Sequence, residues 1–259
     1  MILDDIVAWK RAEVEKRRAD HPQHELEKRA ELRMPRPFEK SLVCEGRLRV
    51  LAEIKRASPS AGVIRGEADA ARLAAVMEEA GASALSVLTD ARYFCGSLDD
   101  MAQARASIKI PVLQKDFVID EYQVWEAAAR GADAVLLIVR IIDDDTLIRL
   151  YELAGRLSLG RLVETHTRAD IARALSLGCT LLAINNRDLS NFEVDISTTL
   201  TLMEYVPAPV RVVSQSGIRT ASDALRLFEA GVSAIQVGES LMRAGDPGAR
   251  LRELLSLIA

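Results

Sequence analysis

Lysines and glutamates sit where several apolar runs of this chain end, and their types suit proton transfer and the binding of a small anion. Glu53 and Lys55 close RVLAEIK (49–55), Lys115 lies near the end of PVLQKDF (111–117), and Glu164 falls in RLVETH (161–166). Amides stand at two more such ends, Asn185 in LGCTLLAINNR (177–187) and Gln215 in VRVVSQS (210–216). A single lysine or glutamate at a strand end is ordinarily half of a satisfied salt bridge. Two of each, with amides beside them, are harder to explain as structure alone, because active sites use such clusters to shift proton affinities. Glu53 and Lys55 are two positions apart, so on a strand both point to the same side. Ser216–Gly217 and Gly238 supply small residues at further ends, where backbone N–H groups and a helix N-terminus would approach a phosphate. Lys55 and Ser58 would close that site from the side of the first strand.

These residues act together only if the fold brings their strand ends to one place. Four segments repeat a glycine, two small or polar residues and an apolar run: AGASALSVLTD (80–90), RGADAVLLIVR (130–140), LGCTLLAINNR (177–187) and AGVSAIQVGES (230–240). The pattern reads as a helix closed by glycine, a short turn and a strand. Their apolar runs do not alternate, as expected of strands buried on both faces in a parallel sheet. The four runs that end in Lys55, Phe117, His166 and Ser216 interleave with them. Strands are therefore expected to start near 49, 84, 111, 134, 161, 181, 210 and 234, each followed by a helical pattern such as ADAARLAAVMEEAG (68–81) or DEYQVWEAAARG (120–131). Eight βα units predict a single (β/α)8 TIM barrel over residues 48–259, with its active site at the C-terminal strand ends. A doubly wound open sheet fits less well, because no GxGxxG follows the first strand.

Residues 1–47 stand outside the repeat. Asp4–Arg18 has Ile6, Val7, Trp9 and Val14 at helical spacing, and Met34–Ser41 contains Pro35 and Pro37. One or two extra helices and a connector that pack on the barrel are expected, since the segment is too short to hold its own core. The mixed charges of Lys10–Arg18 read as a solvated helix face.

The chain has 259 residues, of which 49% are hydrophobic, enough to bury a sizeable core. Its 34 basic residues against 38 acidic ones, net −4, argue against a nucleic-acid partner, which usually meets a basic excess. Cys44, Cys95 and Cys179 are odd in number and widely spaced, and His21, His24 and His166 do not cluster with them. That pattern argues against a disulfide framework or a zinc site and fits a cytoplasmic location. The N-terminus has no secretory pattern and no run is long and apolar enough to cross a membrane, so neither export nor a membrane partner is expected. With the barrel ending near Ala259, no fused domain is expected, and nothing in the pattern specifies an oligomer.

AEIKRASPSAG (52–62), SVLTDARYFCGS (86–97), PVLQKDFVIDEYQ (111–123), LVETH (162–166), INNRDL (184–189) and VGESLMR (237–243) resemble the indole-3-glycerol phosphate synthases of tryptophan biosynthesis, from about residue 4 to 257. That resemblance implies a (β/α)8 barrel without metal or cofactor. It implies conversion of 1-(2-carboxyphenylamino)-1-deoxyribulose 5-phosphate into indole-3-glycerol phosphate, carbon dioxide and water. It also implies roles for this chain's residues. Lys115 would be the general acid on the substrate ketone, and Lys55 would pair with the substrate carboxylate. Glu164 would assist the dehydration, Glu53 would orient a lysine, and Asn185 would hold the developing hydroxyl. Phe94 and Phe117 would wall the aromatic ring, with Arg187 and Gln215 touching substrate. Ser58, Lys55, Ser216, Gly217 and Gly238 would hold the phosphate.

The chain leaves the family's usual residues at two places. Cys95 stands on a loop where glutamine or asparagine is common. Gln215 stands where glutamate is common and removes a charge, since an amide can orient substrate but cannot act as a base. Gln215 is the one support for an alternative, a substrate-binding paralogue impaired in turnover. An isomerase of an aminoaldose phosphate would need an aspartate–cysteine pair at opposed strand ends, and that pair is absent.

Overall fold

A computed structural model describes residues 2–188 and 191–258. Leu189, the last residue of INNRDL, and Ala259, at the expected barrel end, lie outside them. Eight parallel strands close into a barrel: β1 (Arg49–Ile54), β2 (Ala84–Leu88), β3 (Val112–Lys115), β4 (Ala134–Ile138), β5 (Gly160–Thr165), β6 (Leu181–Asn185), β7 (Arg211–Gln215) and β8 (Ala234–Val237). Each starts within one residue of its expected position. The barrel closes by pairing β1 with β8, Arg49 opposite Ala234 and Ala52 opposite Val237.

The helices between strands start and stop for local reasons. Asp69, Asp120, Thr167 and Thr220 cap helix N-termini by accepting backbone N–H groups, the last three in reciprocal capping boxes. Gly81, Gly131, Gly178 and Gly231 each follow a helix with φ between +70° and +102°, the left-handed turn that the repeat predicts. The strand in RGADAVLLIVR stops short of the end of that run: β4 ends at Ile138, and Val139–Ile141 form a 3₁₀ turn that leaves Arg140 exposed.

The two faces of each strand pack differently. Leu51, Ala84, Leu113, Ala134, Leu136, Leu162, Leu181, Ala183, Val213 and Ala234 fill the barrel interior. Val50, Ala52, Val112, Val135, Leu182, Val212 and Ile235 join the larger outer core beneath the helices. The bottom of the interior is plugged by Phe38 and Leu42. Phe38 seats against Ala134 and Gly160, where a Cβ on Gly160 would fall within 2.9 Å of its ring.

Three helices precede the barrel: α1 (Ile2–Asp20), α2 (Gln23–Glu31) and α3 (Phe38–Ser41). Val14 and Leu26 enclose Tyr122, whose hydroxyl donates to the carbonyls of Arg17 and His21. The expectation of a solvated face over Lys10–Arg18 is wrong at its first residue. Lys10 is fully buried. Its Nζ lies 2.7 Å from Asp90, 2.8 Å from Asp116 and 2.6 Å from Glu13. Asp90 follows β2 and Asp116 follows β3, so this lysine ties α1 across the C-terminal ends of the strands. Alternating charges look the same in sequence whether they face water or buried carboxylates. Burial pulls the ammonium down, but Asp116 and Asp90 outweigh it and hold Lys10 above the usual lysine range.

Replacing Lys10 with methionine leaves Asp90 and Asp116 buried without their cation and should cost about 3 kcal/mol of stability. Burial raises Asp116, but Lys10 and the Thr89 hydroxyl outweigh that and place its carboxyl below the ordinary range. The stability gained from this depressed group is present above its unfolded value and disappears as pH falls through its folded one. The gap between parent and Lys10→Met in urea unfolding should therefore be widest near neutrality and close in acid.

Candidate active site

The inward parity of the barrel strands continues past the apolar interior into charged residues. Leu51 is followed by Glu53 and Lys55, Leu113 by Lys115, Leu162 by Glu164, Ala183 by Asn185, Val213 by Gln215, and Ala234 by Gln236 and Gly238. A cavity of about 710 Å³ opens above them. Every residue singled out from the sequence lines it: Glu53, Lys55, Ser58, Phe94, Lys115, Phe117, Glu164, Asn185, Arg187, Gln215, Ser216, Gly217 and Gly238. Ile2, Leu3 and Ile6 of α1 close it from above.

The charges are paired. Lys115 Nζ lies 3.4 Å from Glu164 Oε2, and Lys55 Nζ lies 3.0 Å from Glu53 Oε1. Both carboxylates are buried, while the lysines keep some exposure toward the cavity. Burial alone would push both carboxyls up. For Glu164, Lys115 foremost and the Asn185 hydrogen bond outweigh it, and the group sits below the usual range. For Glu53, Lys55, Lys115 and Gln236 do the same. Both are therefore ionised at neutral pH.

Further contacts orient these groups. Asn185 donates to Glu164 Oε1 at 3.1 Å and accepts from the Arg187 N–H at 3.0 Å. His166 Nε2 stands 3.5 Å from the same Oε1, and burial keeps this imidazole below its usual range and neutral. Phe94 and Phe117 form one apolar wall, ring centroids 5.9 Å apart and tilted 42°. A Cβ on Gly238 would overlap the Glu53 carboxylate, so only glycine lets β8 pass there.

Ser216 and Gly217 both hold positive φ, +69° and +81°. A serine in that conformation is uncommon and is kept there by its surroundings. Asn186 supplies part of the restraint, donating to the Ser216 carbonyl at 2.9 Å and to Ser214 Oγ at 3.0 Å. Its Oδ1 accepts from the backbone N–H and hydroxyl of Thr199. Asn186, Lys10 and Gln236 were not among the candidates that residue type and spacing suggested. Gln236 shares the parity of Ala234 and Gly238, a signal that was readable, whereas Asn186 points away from the cavity and acts only through the Ser216 turn. Cys95 is exposed on its loop and does not line the cavity, and burial pushes the Cys179 thiol up to about 12, so neither is placed to act as a nucleophile there.

Residues 3–254 match the family described as indole-3-glycerol phosphate synthase. The chain belongs to that family. It is 47% identical to the indole-3-glycerol phosphate synthase of Albidiferax ferrireducens, over 98% of each chain. It is 46% identical to that of a Polaromonas species, over 99% of this chain and 98% of the relative. Among solved structures, a 3-hexulose-6-phosphate synthase superposes with a TM-score of 0.65 at 18% identity, covering 82% of this chain and all of that one. That likeness concerns the barrel alone. Among the described residues no helix is long and apolar enough to cross a membrane.

Gly238→Ala should force Glu53 away from Lys55 or bend β8. Overpacking of this kind costs about 1–3 kcal/mol. Urea unfolding should show the loss, and a crystal structure of the variant should show the Lys55–Glu53 distance lengthened beyond an ion pair.

Proposed function

We propose that this chain closes the indole ring of 1-(2-carboxyphenylamino)-1-deoxyribulose 5-phosphate, releasing carbon dioxide and water to leave indole-3-glycerol phosphate. The observation that carries the reading is the Lys115–Glu164 pair, ammonium and ionised carboxylate 3.4 Å apart at one cavity wall. Ring closure joins the aromatic carbon bearing the carboxylate to the ketone carbon. An acid must deliver a proton to the ketone oxygen as the bond forms, and the Lys115 ammonium is the donor in this reading. Lys55 pairs with the substrate carboxylate until the C–C bond to it breaks and carbon dioxide departs. Loss of carbon dioxide returns its bonding pair to the benzene ring and restores aromaticity. The hydroxyl made in the first step then takes up a proton from a lysine of the site and leaves as water, while Glu164, held ionised by its neighbours, is suited to take the proton from the methylene carbon beside nitrogen, whose loss forms the double bond of the five-membered ring.

The remaining groups bind and orient. Glu53 holds Lys55, Asn185 faces the developing hydroxyl, and Arg187 and Gln215 border the substrate. Phe94 and Phe117 offer the aromatic ring an apolar face. Ser58, Lys55, Ser216, Gly217 and Gly238 surround the phosphate. Residues 48–259 form the catalytic barrel in this reading, and the 1–47 extension covers its mouth through α1. A net charge of −4 and widely spaced cysteines suit a cytoplasmic enzyme that meets no nucleic acid. Nothing in the comparisons favours the impaired paralogue, and the groups that would move protons are all in place beside Gln215.

Pure protein incubated with the carboxyphenylamino substrate in metal-free buffer should develop indole fluorescence. Lys115→Ala should reduce the rate at least ~100-fold, the usual worth of a positioned general acid. Tight binding of the reduced substrate without any product would instead favour the impaired paralogue.

A further inference from the structure

Gln236 lies in the cavity wall between Glu53 and Gln215, and all three side chains are buried. Its Nε2 donates a short hydrogen bond to Glu53 Oε2. Its Oε1 accepts from Gln215 Nε2 at 2.7 Å. Gln215 Oε1 is then buried without a partner among the described residues.

The direction of this chain of bonds follows from donor and acceptor chemistry. Glu53 is ionised and can only accept. Gln236 must therefore turn its NH₂ toward Glu53, which leaves its carbonyl oxygen toward position 215. Gln215 must answer with its own NH₂. Its carbonyl oxygen is the atom left over, buried on a residue that lines the cavity. A buried acceptor without a partner is costly, and a ligand donor placed against it recovers that cost. A glutamate at 215 has no hydrogen to offer Gln236. The amide at 215 and the amide at 236 therefore go together, and Gln215 is matched to its neighbour.

We infer that Gln236 is a positioning residue that relays the polarity of Glu53 to Gln215, so that Gln215 presents an oxygen to a hydroxyl on the sugar chain of the ligand. The inference rests on the functional reading above, which supplies the polyhydroxyl ligand. Methionine matches glutamine in length and carries no hydrogen-bonding amide, so Gln236→Met and Gln215→Met remove the relay with little change in volume.

The test is a binding cycle with the non-reacting reduced substrate, 1-(2-carboxyphenylamino)-1-deoxyribitol 5-phosphate. A second probe is the same compound with its chain hydroxyls replaced by hydrogen. Each single variant should bind the hydroxylated compound about tenfold more weakly, and the double variant should lose no more than either single one, because all remove the same bond. Binding of the compound without hydroxyls should be unchanged throughout, which a merely structural role for Gln236 would not produce. Additive losses, equal losses on both compounds, or full affinity in Gln236→Met overturn the relay while the parent still makes product. A parent that binds neither compound overturns the functional reading together with the relay.

Discussion

Strand residues alternate between two faces, and in a closed barrel one of those faces has nowhere to go but inward. The charged floor of the site follows from that constraint. At the lower level, inward positions hold Leu51, Leu113, Leu162, Ala183, Val213 and Ala234, and they pack. One step further along each strand, the same parity delivers Glu53, Lys115, Glu164, Asn185, Gln215 and Gln236. No loop need be arranged to bring these groups together, because closure of the sheet does it. They stand on rigid strands, and each is braced by a side chain from another strand.

Placing charges at the top of a packed interior is expensive, since an unpaired buried carboxylate costs several kcal/mol. The barrel answers with neutral pairs. Lys55 offsets Glu53 and Lys115 offsets Glu164, while Asn185 and Gln236 satisfy the carboxylate oxygens left over. This pairing has a chemical consequence. It holds both carboxylates ionised beside the two lysines that reach the cavity. The arrangement that makes burial tolerable is also what keeps Glu53 and Glu164 charged at the cavity wall.

The same solution recurs one layer out, where it serves architecture. Lys10 is enclosed by Asp90, Asp116 and Glu13, and so fastens α1 over strands β2 and β3. Ile2, Leu3 and Ile6 of that helix roof the cavity. Arg17 reaches Glu126 at 2.6 Å and Arg18 reaches Asp120 at 2.7 Å, extending the attachment along the helix that follows β3. Roof and floor are thus joined through Asp116, which directly follows Lys115.

Much of this was legible in the chain alone. Repeating glycines and unbroken apolar runs are local signals, because a left-handed helix stop and a doubly buried strand each depend on a few adjacent residues, and they yielded the barrel and its strand starts. Parity on β1 placed Glu53 and Lys55 together, and the other candidate residues were found by reading strand ends. Other facts depend on groups distant in sequence. Lys10 looks like any surface lysine until Asp90 and Asp116 are brought to it. Gln215 looks like a lost charge until Gln236 is seen beside it, oriented by Glu53. Which residues could do chemistry was written in types and spacing, since strand period and helix stops are set locally. Which partner each one meets, and so its charge state and the direction of its hydrogen bonds, was decided only when the barrel closed, because those properties belong to pairs and not to single residues.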